Sequence, residues 1–151
     1  MELAEIMSQM PYSRHLGIEL TEAADGHAEG RLEFEDHHSS VPGGGVAHGS
    51  VVHGLADTVA GAAVISLHYK PTPTVDIRFD HLAPARGDLH AVADVRKDGD
   101  TVAVADVEIT HEDTLVATAR GTFKTAGDAD GSAWSDSQDL AADIDDSAVD
   151  D

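Results

Sequence analysis

Cysteine is absent from the 151 residues, which excludes disulfides, thiolate metal sites and a cysteine nucleophile while leaving the redox compartment open. Lysine is nearly absent. Lys70, Lys97 and Lys124 are the only three, and with the arginines they make nine bases against 29 acids, a net charge of −20. Such a surface repels nucleic acid and anionic lipid, so neither is expected as a partner. No run of eighteen apolar residues occurs, so no membrane span is expected. A basic leader is missing as well. Met1 to Met10 carries Glu2 and Glu5 and no long apolar stretch, which argues against a signal peptide and for a cytoplasmic location.

The length suits one domain with a core of its own. Acid is spread along the chain: residues 125–151 hold nine Asp and no base, leaving 20 acids against nine bases, or −11, in residues 1–124. A surface rich in Asp and poor in Lys suits a cytoplasm at multimolar salt, where screening removes self-repulsion, so a halophilic source is expected. From Thr125 onward the composition turns to Asp, Ser, Ala and Gly, with Trp134 and Leu140 too sparse for a core. Residues 125–151 are therefore expected to be a disordered acidic tail following a domain at 1–124.

Leu3, Ile6, Met7 and Met10 recur at helical spacing, predicting a short helix over 2–10 that Pro11 ends. Two β-like runs, 18–23 and 28–34, flank Asp25-Gly26, a hairpin turn pair. Residues 36–47 read as loop, with Pro42 followed by three glycines. The stretch from Gly49 to about His68 is apolar on nearly all sides, as a buried helix requires, and Pro71 and Pro73 close it. Val75, Ile77 and Phe79 then alternate with Asp76, Arg78 and Asp80, and runs at 89–95, 102–109 and 115–123 repeat the pattern. Short connections predict meander strands, giving an α+β domain with one central helix against five or six antiparallel strands.

Within that helix Asp57 is an expected buried acid, costly unless bonded, paired or working. The helix opens at Gly49 behind a glycine-rich loop, where free N–H groups and the positive dipole end favour a developing negative charge. Eight residues at ~1.5 Å rise separate Gly49 from Asp57 by ~12 Å, too far to serve one carbonyl. If both act together, they come from two chains in a two-fold dimer.

Gly45-x-x-His48-Gly49 with Leu55-x-Asp57, then Thr74-x-Asp76 and Leu82-x-Pro84-Ala85, resembles the hotdog-fold thioesterases of the phenylacetic-acid-pathway (PaaI-like) branch. Met10-Pro11-Tyr12-x-x-His15-Leu16-Gly17-Ile18 is similar to that branch's start, and Ala119-Arg120-Gly121-Thr122-Phe123 to its last strand. The resemblance spans residues 10–124. It implies a hotdog fold, hydrolysis of acyl-coenzyme A thioesters and an active site at the interface of a homodimer, with a homotetramer as the expected further assembly. It places Asp57 as general base or nucleophile, the Gly49 N–H as oxyanion donor, Thr74 as the hydroxyl assisting water, and His48 as organiser of the loop. The chain departs from the pattern at Pro42, where the family often has Asn, and at Ser50, where the second Gly of its His-Gly-Gly stands.

The chemistry asks for no metal and no cofactor, coenzyme A being part of the substrate. His53, one turn before Asp57, could face the same cleft, and His37-His38 with His48 could suggest a metal, though no ligand pair at helical spacing supports one. Arg78, Arg86, Arg120 and Lys124 are the scarce cations able to meet phosphates. Two other readings share the fold: an enoyl- or hydroxyacyl-thioester hydratase using His48, His53 and Asp57, and a module that binds acyl-CoA without turnover.

Overall fold

Asp25 and Gly26 both adopt positive φ, 52° and 81°, the geometry that lets a two-residue turn follow the twist of its strands, and β1 (Ile18–Ala24) and β2 (His27–Leu32) pair antiparallel across it. The structure, a computed structural model, describes residues 2–126. The remaining elements are α1 (Leu3–Gln9), α2 (Pro11–Leu16), α3 (Gly49–His68), β3 (Thr74–His81), β4 (Leu89–Asp98), β5 (Val102–His111) and β6 (Thr114–Lys124). The six strands form one antiparallel sheet in the order β1-β2-β4-β5-β6-β3, and α3 packs against every one of them. This is the expected hotdog arrangement of a long central helix wrapped by a six-stranded sheet.

The sheet comes close to α3 because the residues between them are small. Thirteen of the 29 buried hydrophobic residues are alanine, among them Ala56, Ala60, Ala62 and Ala63 on the helix. Gly30 on β2 has no room for more: a Cβ there would sit 2.7 Å from Val59 Cγ2. By length and hydropathy alone α3 could cross a bilayer, with a mean hydropathy of 1.5 over eighteen residues, but 67% of that window is buried in the fold. It is a core helix. Ser66 near its end ties the first hairpin to it, its hydroxyl accepting the Gly26 N–H at 2.8 Å and donating to Ala63 O at 2.6 Å.

The expected N-terminal helix is present and ends at Gln9, before Pro11; Pro11 also opens a second helix, α2, at its first position, where its missing N–H costs nothing, and Gly17 at φ 77° caps it. Two expectations need correction. The strands after α3 are not a simple meander, since β3 pairs with β6 at the far edge while β4 joins β2. The connection of residues 82–88 carries Pro84 and is tied by the Ala47 N–H donating to Ala85 O, so it crosses the fold rather than turning back on β3. Asp57 is only half-buried, for the stripe of α3 carrying Gly49, His53 and Asp57 is not fully covered within one chain. At the domain's end the Thr125 and Ala126 N–H groups still donate to Thr101 O, and the expected tail beyond them, 127–151, lies outside the described residues.

Candidate active site

Three consecutive glycines, Gly43, Gly44 and Gly45, take φ of 87°, 85° and 104°, a backbone path that side-chain-bearing residues avoid. This loop is pinned where it leaves and returns, by Ser40 N–H to Val46 O, Ala47 N–H to Ala85 O and His48 N–H to His38 O. His38, at the end of a single 3-10 turn, is buried and fully used: its Nδ1 accepts the Glu35 N–H at 2.9 Å and its Nε2 donates to Leu16 O at 2.7 Å. The His37 ring packs against it, tilted by 47° at 4.1 Å between ring centres. Both rings are structural, and neither converges with His48 on a common point.

His48 is the N-cap of α3. Its Nδ1 accepts the Ser50 N–H at 3.0 Å, and the Val51 N–H donates to the His48 carbonyl at 2.9 Å. The second and third N–H groups of the helix are thereby satisfied. Gly49, at the first position, keeps an N–H with no acceptor among the described residues, in an exposed position at the positive end of a 20-residue helix. Ser50 stands at the second position, its Oγ 2.7 Å from His48 Nδ1. The expected organising role of His48 thus has a physical form, a side-chain cap that selects which N–H stays free.

Strand β3 runs antiparallel to α3 along the helix's uncovered stripe. At one end the His81 ring lies against Gly49, where an added Cβ would meet Cε1 at 3.5 Å. In the middle His53 packs on Phe79 at 4.5 Å, and Phe79 stacks on His81 at 5.5 Å. At the other end Thr74 Oγ1 donates to Asp57 Oδ1 at 2.8 Å. A register shift between Thr74 and Asp76 accompanies this contact, as a bulge that re-aims a side chain would. The structure therefore brings Thr74 and Asp57 together and leaves Gly49 two turns away. Sequence reasoning misses His81; its signal is the apolar register of Val75, Ile77 and Phe79 extended by one more step.

A cavity of about 480 Å³ opens at the start of α3, lined by Gly49, Val52, His81, Leu82, Pro84 and Val116 among others. It is mostly apolar apart from the Gly49 backbone and His81. Of the scarce cations, Arg120 is committed on the outer face of the sheet, donating to both Asp106 oxygens at 2.6 and 2.9 Å and holding that carboxyl below its usual range. Arg78 lies 3.6 Å from Asp80 on the same face, Lys124 is exposed at the end of β6, and Arg86 is exposed, one residue after Ala85 of the cavity lining.

A sheet wrapped around one long helix is the hotdog architecture, and one open face of that helix carries a free N–H at its start and a threonine-held carboxylate two turns on. The thioesterase superfamily model matches residues 44–118, from the glycine loop through α3 into β6, and the chain belongs to that superfamily. Two relatives support this along most of their length. A Halobacterium salinarum protein described as a candidate esterase is 36% identical over 125 residues, 75% of this chain and 83% of that protein. The medium/long-chain acyl-CoA thioesterase YigI of Salmonella typhimurium is 30% identical over 133 residues, 76% of this chain and 84% of the relative. Among solved structures, a mutant of the phenylacetic acid degradation protein PaaI from Thermus thermophilus superposes with a TM-score of 0.70 at 27% identity, over 77% of this chain and 99% of that one.

Proposed function

We propose that the chain hydrolyses acyl-coenzyme A thioesters to free acid and coenzyme A, in the manner of the PaaI-like branch, as a homodimer that can pair again into a homotetramer. The observation that carries this reading is the pairing of a free Gly49 N–H with a Thr74-held Asp57 two turns along the same open helix face. Two such helices, antiparallel across a two-fold axis, would set the Gly49 of one copy against the Asp57 of the other. Asp57 takes the proton of a water whose oxygen adds to the thioester carbon, and the Gly49 N–H of the second copy holds the oxyanion. The carbon–sulfur bond then breaks, and the thiolate recovers the proton from Asp57. In the variant with Asp57 as nucleophile, its oxygen adds to the thioester carbon and expels coenzyme A as the thiolate; water then cleaves the resulting mixed anhydride to the free acid and the Asp57 carboxylate, and the proton released passes to the thiolate. Thr74 orients the carboxylate, and His48 holds the donor free.

The apolar cavity beside Gly49 suits an acyl chain, and the exposed Arg86, next in the chain to Ala85 of its lining, suits a phosphate. The reaction draws on no metal and no cofactor. The acidic surface fits a halophile's cytoplasm, with neither nucleic acid nor membrane as partner.

Complementation between two crippled chains tests the whole scheme. Asp57→Asn and Gly49→Pro chains are each expected to be inactive in a thiol-release assay with acyl-CoA. Co-expressed, they should regain about a quarter of wild-type turnover, because half of randomly assorted dimers are mixed and each mixed dimer holds one intact site. No recovery in mixtures shown to contain heterodimers would sink the two-chain site.

A further inference from the structure

We infer that the outer face of the sheet, away from α3, carries a site for a divalent transition-metal ion built from His27, Glu29 and Glu22. Strand register brings them together: Glu22 of β1 lies opposite Glu29 of β2, and His27 two residues before Glu29 points to the same face. One ligand atom from each falls within 4.8 Å of the others. One imidazole and two carboxylates form a mixed nitrogen–oxygen set of the type that takes zinc and its first-row neighbours, with a charge that offsets a divalent ion.

The hydrogen positions make the case stronger than proximity alone. His27 Nδ1 is 2.7 Å from Asp94 Oδ1, and an ionised carboxylate only accepts, so Nδ1 carries the hydrogen. Nε2 faces Glu29 Oε1 at 3.4 Å, where a bound cation would take the place of the proton the two groups share. That spacing exceeds the ~2.7–2.9 Å of a charge-assisted hydrogen bond. It equals the separation of roughly 3.3–3.4 Å between two ligands of a tetrahedral ion with bonds near 2.0–2.1 Å. The other Glu29 oxygen, Oε2, lies 2.8 Å from His90 Nε2. His27 and Glu29 are therefore each oriented by a further side chain, as metal ligands characteristically are. Glu22 has no hydrogen bond among the described residues and can swing in as the third ligand, leaving water for the fourth position. Such an ion would staple β1 to β2 and take no part in hydrolysis at α3.

Zinc chloride titrated calorimetrically into the chelator-stripped full-length protein, in concentrated KCl, tests this. One ion per chain is expected. Affinity should fall roughly 10- to 100-fold in Asp94→Asn and at least as far in His27→Gln and Glu22→Gln. Thiol release should be the same with and without zinc. Circular dichroism checks that His27→Gln is folded, and Glu22→Gln alters only an exposed carboxylate. Wild-type protein that takes up no zinc, or His27→Gln and Glu22→Gln binding as wild type does, overturns the site.

Discussion

Thr74 and Asp57, 17 residues apart, meet through a hydroxyl that donates to Oδ1 at 2.8 Å across the gap between β3 and α3. One carboxylate oxygen is thereby fixed, while the other stays available on a half-exposed side chain. Replacing Asp57 by Asn should lower thiol release from acyl-CoA by roughly 10²–10⁴-fold, the range of a lost general base, with the circular dichroism spectrum retained. Thr74→Val should cost on the order of tenfold and Thr74→Ser much less, since only the hydroxyl is used. Equal rates for Thr74→Val and wild type would remove Thr74 from the mechanism.

The cap at His48 permits a backbone test. Gly49 stands at the first helical position, where proline is favoured, and His48 at φ −59°, ψ 140° already has the conformation a following proline requires. Gly49→Pro should therefore fold and dimerise while deleting the one free N–H, and lose roughly 10²–10³-fold in kcat. Gly49→Ala keeps the N–H and meets His81 only at ordinary contact distance, so it should stay within a few-fold of wild type. Comparable losses in both variants would point to packing rather than to the donor.

Much of this site is legible in residue order, and the parts that are not share a cause. Composition places α3, which is apolar on nearly all sides, and alternation places the strands. Neither tells that β3 crosses to the far edge, since strand neighbours depend on how the 82–88 connection packs against Ala47, not on pattern. Pro11 reads as a stop and is one, but it also begins α2, because the extended Met10 before it suits both the end of one helix and the start of the next. Asp57 stands out as an acid in an apolar helix and Thr74 comes from the resemblance, but their contact depends on a register shift at Thr74 that no alternation predicts. The burial expected of Asp57 fails because the helix's apolar composition does not say which stripe the chain's own sheet leaves open.

Ser66 is a stability test independent of the active site. Its buried hydroxyl is the sole partner of the Gly26 N–H among the described residues, so Ser66→Ala leaves a buried donor unpaired. The expected loss is roughly 1–3 kcal/mol, read as a lower denaturant midpoint at unchanged slope, with turnover per folded chain unaffected.

Asp106 predicts a pH dependence. The Arg120 hydrogen bonds hold its folded-state pKa below the ordinary value of 3.8. The resulting stabilisation is therefore present above that value and is lost as pH falls through the depressed folded-state pKa. Asp106→Asn should unfold at slightly lower denaturant than wild type at neutral pH, with the two curves converging in strong acid. A difference that persists or grows in acid would contradict the assignment.

The alanines that let the sheet close on α3 also bear on how stability responds to temperature. With thirteen of 29 buried hydrophobic residues reduced to a methyl group, unfolding uncovers less apolar surface than a core of the same residue count built on leucine and phenylalanine. The heat-capacity increment should accordingly fall at or below the lower end of about 12–15 cal/mol/K per residue. A small increment flattens the free-energy curve. Calorimetry should show a fold whose margin varies little between cold and warm conditions, so that close backbone approach, rather than bulk, gives the molecule its thermal evenness.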